Sequence, residues 1–123
     1  PRLIEGSKTI KRLENTADRL LLDVPCSGTG VIKRNPDAKW KLNVDFIERT
    51  KEIQKKILDE YSIMTKKGGQ MVYSTCSVLP SENRKQVDEF LANHKEFELV
   101  KDKTILPSEG FDGFYMALIK RKN

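Results

Sequence analysis

The sequence predicts an α/β domain with a mostly parallel sheet whose last two strands form an antiparallel hairpin. Three observations carry this expectation. Two short continuous apolar runs, Leu20-Leu21-Leu22 and Met71-Val72-Tyr73, each close on a polar, turn-rich segment, as buried strands of a parallel sheet do. Between them, apolar residues recur at three- and four-residue steps, the period of a helix. Near the C-terminus, two apolar stretches flank a loop that holds Pro107, Gly110 and Gly113, the pattern of a hairpin.

Residues 1–17 are a poorly defined lead-in. Leu3, Ile4, Ile10 and Leu13 fit a short strand followed by one or two helical turns. Arg19 to Val24 is the first clear strand, and the chain leaves it through Pro25, Gly28 and Gly30. From Asp45 to about Lys66, the residues Phe46, Ile47, Ile53, Ile57, Leu58, Tyr61 and Met64 form one apolar stripe. Asp45 is the expected cap, Glu48 completes a box-like start, and Gly68-Gly69 is the expected stop. Gln70 to Ser74 forms the next strand. Pro80 and Ser81 then open a helix with the stripe Val87, Phe90, Leu91 and His94. Phe97 to Val100 and Phe114 to Ile119 are the last two strands, with residues 101–113 as a loop between them.

The 123 residues suit one domain or part of a larger one, and a fragment or a processed chain is the expectation from Pro1 in place of an initiator Met. No apolar run approaches the roughly 18 residues of a spanning helix, and no leader pattern precedes Leu3, so a soluble, cytoplasmic protein is expected. A net charge of +5 tilts the balance only slightly toward a polyanionic partner. Its local distribution says more: Lys33, Arg34, Lys39 and Lys41 surround Trp40 with only Asp37 opposing them, a composition that suits phosphate binding and base stacking as well as it suits a solvated loop.

Two cysteines stand fifty residues apart, in Asp23-Val24-Pro25-Cys26-Ser27-Gly28-Thr29-Gly30 and in Tyr73-Ser74-Thr75-Cys76-Ser77. Each follows a strand, so both are expected at the C-terminal edge of one sheet, facing one cleft. No third or fourth ligand stands at metal-site spacing, and two free thiols are expected rather than a bridge. Cys76 precedes a turn and a helix N-terminus, where backbone N–H groups collect and can activate a thiol. Asp23 ends a strand at the same edge, either with a chemical task or as a turn residue accepting from the Ser27 or Gly28 amides. The lone His94 is read as a surface or capping residue.

These segments resemble a known family. Asp-Val-Pro-Cys-Ser-Gly-Thr-Gly-Val from Asp23, then Arg34-Asn35-Pro36-Asp37 and Lys39-Trp40, then Tyr-Ser-Thr-Cys-Ser from Tyr73 with Pro80 and Glu82-Asn83, are similar to motifs of the Sun-type RNA (cytosine-5) methyltransferases, close to the 16S ribosomal RNA cytosine methyltransferase B group. The closing Asp112-Gly113-Phe114-Tyr115 also resembles that family's end, and the likeness runs from about Asp18 to Ile119. It implies the C-terminal half of a Rossmann-like, S-adenosylmethionine-dependent methyltransferase fold, a single partial domain over residues 1–123. It implies Cys76 as the nucleophile that adds to C6 of a cytosine, Asp23 at the N3 edge of the base and against the cofactor, Cys26 in proton loss or adduct release, and Pro25 shaping the base pocket beside the cofactor. RNA, ribosomal before transfer RNA, becomes the implied substrate, with Lys33, Arg34, Lys39, Trp40, Lys41 and the tail Lys120-Arg121-Lys122 as its contacts.

The family's glycine-rich cofactor loop after the first strand and its two acidic residues after later strands are not found before Asp23. The 123 residues alone are therefore expected to be inactive and to bind S-adenosylmethionine weakly or not at all. A non-catalytic RNA-binding or assembly module on the same fold is the competing expectation, and it predicts salt-sensitive RNA binding that survives loss of both thiols. A thiol redox protein is the weaker third, since the cysteines lack C-x-x-C spacing.

Overall fold

The computed structural model describes residues 7–31, 43–107 and 112–123. Four strands, β1 (Ala17–Asp23), β2 (Thr65–Thr75), β3 (Phe97–Ile105) and β4 (Phe114–Arg121), form one sheet in the order β1-β2-β4-β3. β1 pairs parallel with β2, while β4 runs antiparallel to both β2 and β3. Three strands thus point one way, and β4 alone is reversed between β2 and β3, completing the expected hairpin. The helices are α1 (Ser7–Arg12), α2 (Val44–Tyr61) and α3 (Arg84–Asn93).

Side chains alternate across a strand, so one face of β2 buries Met71, Tyr73 and Thr75 while Val72 and Ser74 are only half-buried. The buried face joins Leu22 of β1 and Tyr115, Ala117 and Ile119 of β4, and Leu58 of α2 with Val87 and Phe90 of α3 covers it. Removing each large apolar side chain from water contributes about 1.5–3 kcal/mol. The ends of β1 and β2, from which both cysteine segments leave, are therefore anchored by a core common to both helices. The free edge of β1 borders a groove of about 590 Å3 lined by Leu13, Leu20, Leu22, Ile57, Tyr61 and Met64.

Several boundaries differ from expectation. Asn43, not Asp45, caps α2: its side chain accepts from the Phe46 N–H at 2.8 Å, and Glu48 pairs instead with Lys51 at 3.1 Å. The helix ends at Tyr61 and passes through a 3-10 turn, Ser62–Met64, straight into β2. Gly68-Gly69 therefore lies inside a strand, where the register with β1 shifts between Ala17 and Arg19. A Cβ on Gly69 would come within 3.0 Å of the Ala17 and Asp18 carbonyls, so the glycines allow an irregularity rather than stop a helix. Residues 101–105, expected as loop, continue β3. The expected strand at Leu3 and Ile4 lies outside the described residues, and the helical turn after it is α1. His94 takes the C-cap position of α3, its ring stacked on Phe90 and its Nε2 3.0 Å from Asp59 Oδ1.

Candidate active site

β1 and β2 are parallel neighbours, so their C-terminal ends share one edge and Asp23 stands in register with Ser74. The Val24 N–H donates to the Ser74 carbonyl at 3.1 Å, carrying the pairing one residue past β1. From there the two loops converge until the Sγ atoms of Cys26 and Cys76 are 2.9 Å apart. Cys76 is exposed and Cys26 half-buried, both as free thiols. Burial pushes the Cys26 thiol up to about 12, and its hydrogen bond with Cys76 adds to the effect. Cys26 thus keeps its proton at neutral pH, within hydrogen-bond reach of the Cys76 sulfur.

Asp23 is exposed, and its Oδ1 accepts from Ser74 Oγ at 3.4 Å. With Leu21, Ser74, Cys76, Phe114 and Met116 it lines a cleft of about 260 Å3. Asp23 also lines the groove beside β1, so it borders both spaces. It does not act as a turn cap for Ser27, whose N–H is taken by Glu82. Pro25 is exposed beside Cys26, outside the cleft lining, and its carbonyl accepts from Gln54 Nε2 at 2.8 Å.

The amides that follow Cys76 are not free to activate it. Ser77 N–H donates to Thr75 Oγ1, Val78 N–H to Thr29 Oγ1 and Leu79 N–H to Ser77 Oγ, at 3.1, 2.9 and 3.0 Å. A 3-10 turn, Pro80–Glu82, separates them from α3. The group that does touch the Cys76 sulfur is the other thiol.

Beneath the thiols lies a polar cluster not anticipated from sequence, whose members include Ser27, Ser77 and a fully buried Glu82. Only the adjacency of Ser27 and Ser77 to the two cysteines could have signalled it. Gly30 ties in a third loop: its N–H donates to the Cys76 carbonyl at 2.9 Å, and its own carbonyl accepts from the Gly113 N–H at 2.6 Å. A side chain there would run into both carbonyl-bearing neighbours, which restricts the position to glycine.

Lys33, Arg34, Lys39, Trp40 and Lys41 lie outside the described residues. In the basic tail, Arg121 is engaged within the fold, its Nη1 donating to the Thr65 carbonyl at 2.6 Å and to Asn15 Oδ1. Among the described residues, no three His, Cys, Asp or Glu side chains gather as metal ligands, and no helix is long and apolar enough to cross a membrane.

The family model described as 16S rRNA methyltransferase RsmB/F matches residues 4–120. Ribosomal RNA small subunit methyltransferase B of Yersinia enterocolitica is 46% identical over 114 residues, which cover 85% of this chain and 26% of that protein. The crystal structure of PH0851 superposes with a TM-score of 0.85 at 33% identity, over 88% of this chain and 27% of that one. A methyltransferase homologue from Pyrococcus horikoshii superposes with a TM-score of 0.77 at 25% identity, over 95% of this chain and 43% of that one. The chain thus spans about a quarter of the length of the curated relative it matches, and its mixed four-stranded α/β sheet belongs to a Rossmann-like methyltransferase fold.

Proposed function

We propose that this chain, which belongs to the 16S rRNA methyltransferase RsmB/F family, carries the covalent half of an S-adenosylmethionine-dependent methylation of cytosine C5 in RNA, ribosomal RNA before transfer RNA, in the cytoplasm. The observation that carries this reading is the 2.9 Å approach of an exposed thiol to a second, proton-bearing thiol at the edge of a cleft that holds a carboxylate.

C5 of cytosine is too weak a nucleophile to take a methyl group unaided. The Cys76 thiol gives up its proton to water and its sulfur bonds to C6; the C5–C6 electron pair moves toward C5 and N3, and Asp23 holds the N3 edge as that nitrogen takes up a proton. Once C5 carries the methyl group, water takes its proton, that electron pair forms the C5–C6 double bond, and the sulfur leaves C6 as a thiolate. Cys26 keeps its proton in the free site, which suits it to protonate the departing sulfur. Phe114 and Met116 give the cleft apolar walls for a base taken out of its stack. Lys33, Arg34, Lys39, Trp40 and Lys41 bind the surrounding RNA, and Pro25, outside the cleft lining, shapes the base pocket only through the turn that brings Cys26 to its edge.

S-adenosylmethionine, when bound, supplies the electrophilic methyl group. The residues present fit one wall of its site: Asp23 offers an exposed carboxylate where the cleft meets the groove, with Pro25 nearby. The rest of the site belongs to the part of the longer relatives that this chain does not span, and the apolar groove along the free edge of β1 is the face on which that part packs. Residues 1–123 form a partial domain in this reading, inactive alone. Loss of methyl transfer to RNA in a Cys76→Ala variant of the full-length protein, with RNA binding retained, supports it; undiminished transfer refutes it. Unchanged RNA binding with no methyl transfer even in the unaltered protein would favour the non-catalytic RNA-binding module instead.

A further inference from the structure

Glu82 ends the 3-10 turn Pro80–Glu82 and is fully buried, yet no Lys, Arg or His among the described residues forms an ion pair with it. A buried carboxyl group is costly unless its oxygens are satisfied. Here hydrogen-bond donors do so. Oε1 accepts from the Ser27 N–H at 2.7 Å and from Gln54 Nε2 at 3.2 Å, and Oε2 from Ser27 Oγ at 2.6 Å and from Ser77 Oγ. Two acceptor sites per oxygen are thereby filled.

The donors are placed informatively. Ser27 follows Cys26 and Ser77 follows Cys76, and both hydroxyls reach the same oxygen, Oε2. One side chain therefore grips the residue next to each thiol. Glu82 is itself held: its carbonyl accepts from Tyr73 OH at 2.6 Å, and Gln54 is fixed by Gln86 Nε2 at 3.3 Å. The adjoining Asn83 braces the same loop, accepting from Thr75 Oγ1 at 2.6 Å and donating to the Ser77 carbonyl at 2.9 Å. Catalytic groups must be held to within a fraction of an ångström, which loops achieve only through such supporting bonds.

We propose that Glu82 is a positioning residue that sets the separation of the two thiols, its one buried carboxyl group gripping the residue after each cysteine. This deepens the proposed function, since it assigns the device that readies the Cys76–Cys26 pair, but it is tested without RNA or methyl transfer. The probe is diamide, which takes one hydrogen from each thiol as the S–S bond forms and is itself reduced to the hydrazine. In the intact protein, the rate of Cys26–Cys76 disulfide formation is followed by peptide mass mapping. Glu82→Gln places donors against donors and is expected to slow the reaction by about tenfold or more. Val87→Ala, which opens a cavity in the apolar core and removes no polar group from the cluster, is expected to leave the rate within about twofold while lowering the melting temperature. If Glu82→Gln loses the folded circular dichroism spectrum, Ser77→Ala, which removes one donor from Oε2, is judged by the same criterion. A rate within about twofold of the unaltered protein in the deciding variant, or an equal slowing by Val87→Ala, overturns the proposal. A protein that passes this test and yet transfers no methyl group would refute the function and leave the positioning intact.

Discussion

The sulfur atoms of Cys26 and Cys76 lie 2.9 Å apart although the residues are fifty positions apart in the chain. Parallel pairing of β1 with β2 brings them to one edge, and the polar cluster beneath closes the remaining distance. The two thiols are not equivalent, because burial holds the proton on Cys26 while Cys76 is exposed.

Iodoacetamide at pH 8 should therefore label Cys76 well before Cys26. A rise from 9.0 to about 12 leaves Cys26 with roughly a thousandfold less thiolate than an ordinary cysteine. Peptide mass spectrometry over a time course reads the order directly, and equal labelling rates would contradict it.

Alkaline stability should carry the same signature. The folded pKa of Cys26 is raised above its unfolded value, so its contribution is fully present below about pH 9 and is lost as pH climbs from 9 toward 12. Tyr73 and Tyr115, both pushed up chiefly by burial, lose stability in the same direction from about pH 10. Urea midpoints at pH 8 and pH 10.5 should thus fall for the unaltered protein and fall less for Cys26→Ser. Equal falls would remove Cys26 from the effect.

Two substitutions test how the loops are fastened. Tyr73→Phe removes the hydroxyl that donates to the Glu82 carbonyl and should cost about 1–3 kcal/mol. Gly30→Ala forces a methyl group against the Gly113 and Cys76 backbones and should cost about 1–3 kcal/mol through overpacking. Thermal melts check both, and an unchanged melting temperature for Gly30→Ala would deny the close approach of the three loops.

Strand ends were legible where chemistry changes abruptly: Leu22 to Asp23 and Pro25, and Tyr73 to Ser74 and Cys76, mark the sheet edge that carries the site. The α2 helix was legible from its period, but its buried face only in part, since Ile53 is exposed while Thr50 and Gln54 are buried with Leu58; its start was hidden because Asn43 and Asp45 are both competent caps two residues apart. The length of β3 was hidden because it is an edge strand: Lys101 and Lys103 are exposed, and pairing with β4, not an apolar run, holds that stretch extended. Glu82 was hidden for the opposite reason. Within Pro-Ser-Glu-Asn it has the composition of an exposed helix start, and only the folded approach of Ser27 and Ser77 makes it interior.

Titration calorimetry of S-adenosylmethionine into residues 1–123 alone should give no tight binding, because the proposed function assigns to this chain only the side of the cofactor site at Asp23 and Pro25. Tight binding would overturn the partial-domain proposal.

The most direct measurement is a denaturing gel of the full-length protein incubated with substrate RNA and S-adenosylmethionine. Cys26→Ala should accumulate a covalent protein–RNA band, because Cys76 still attacks C6 but release fails, and Cys76→Ala should show neither band nor methylated product. A covalent band or product that persists without Cys76 would contradict the assignment of Cys76 as the attacking thiol.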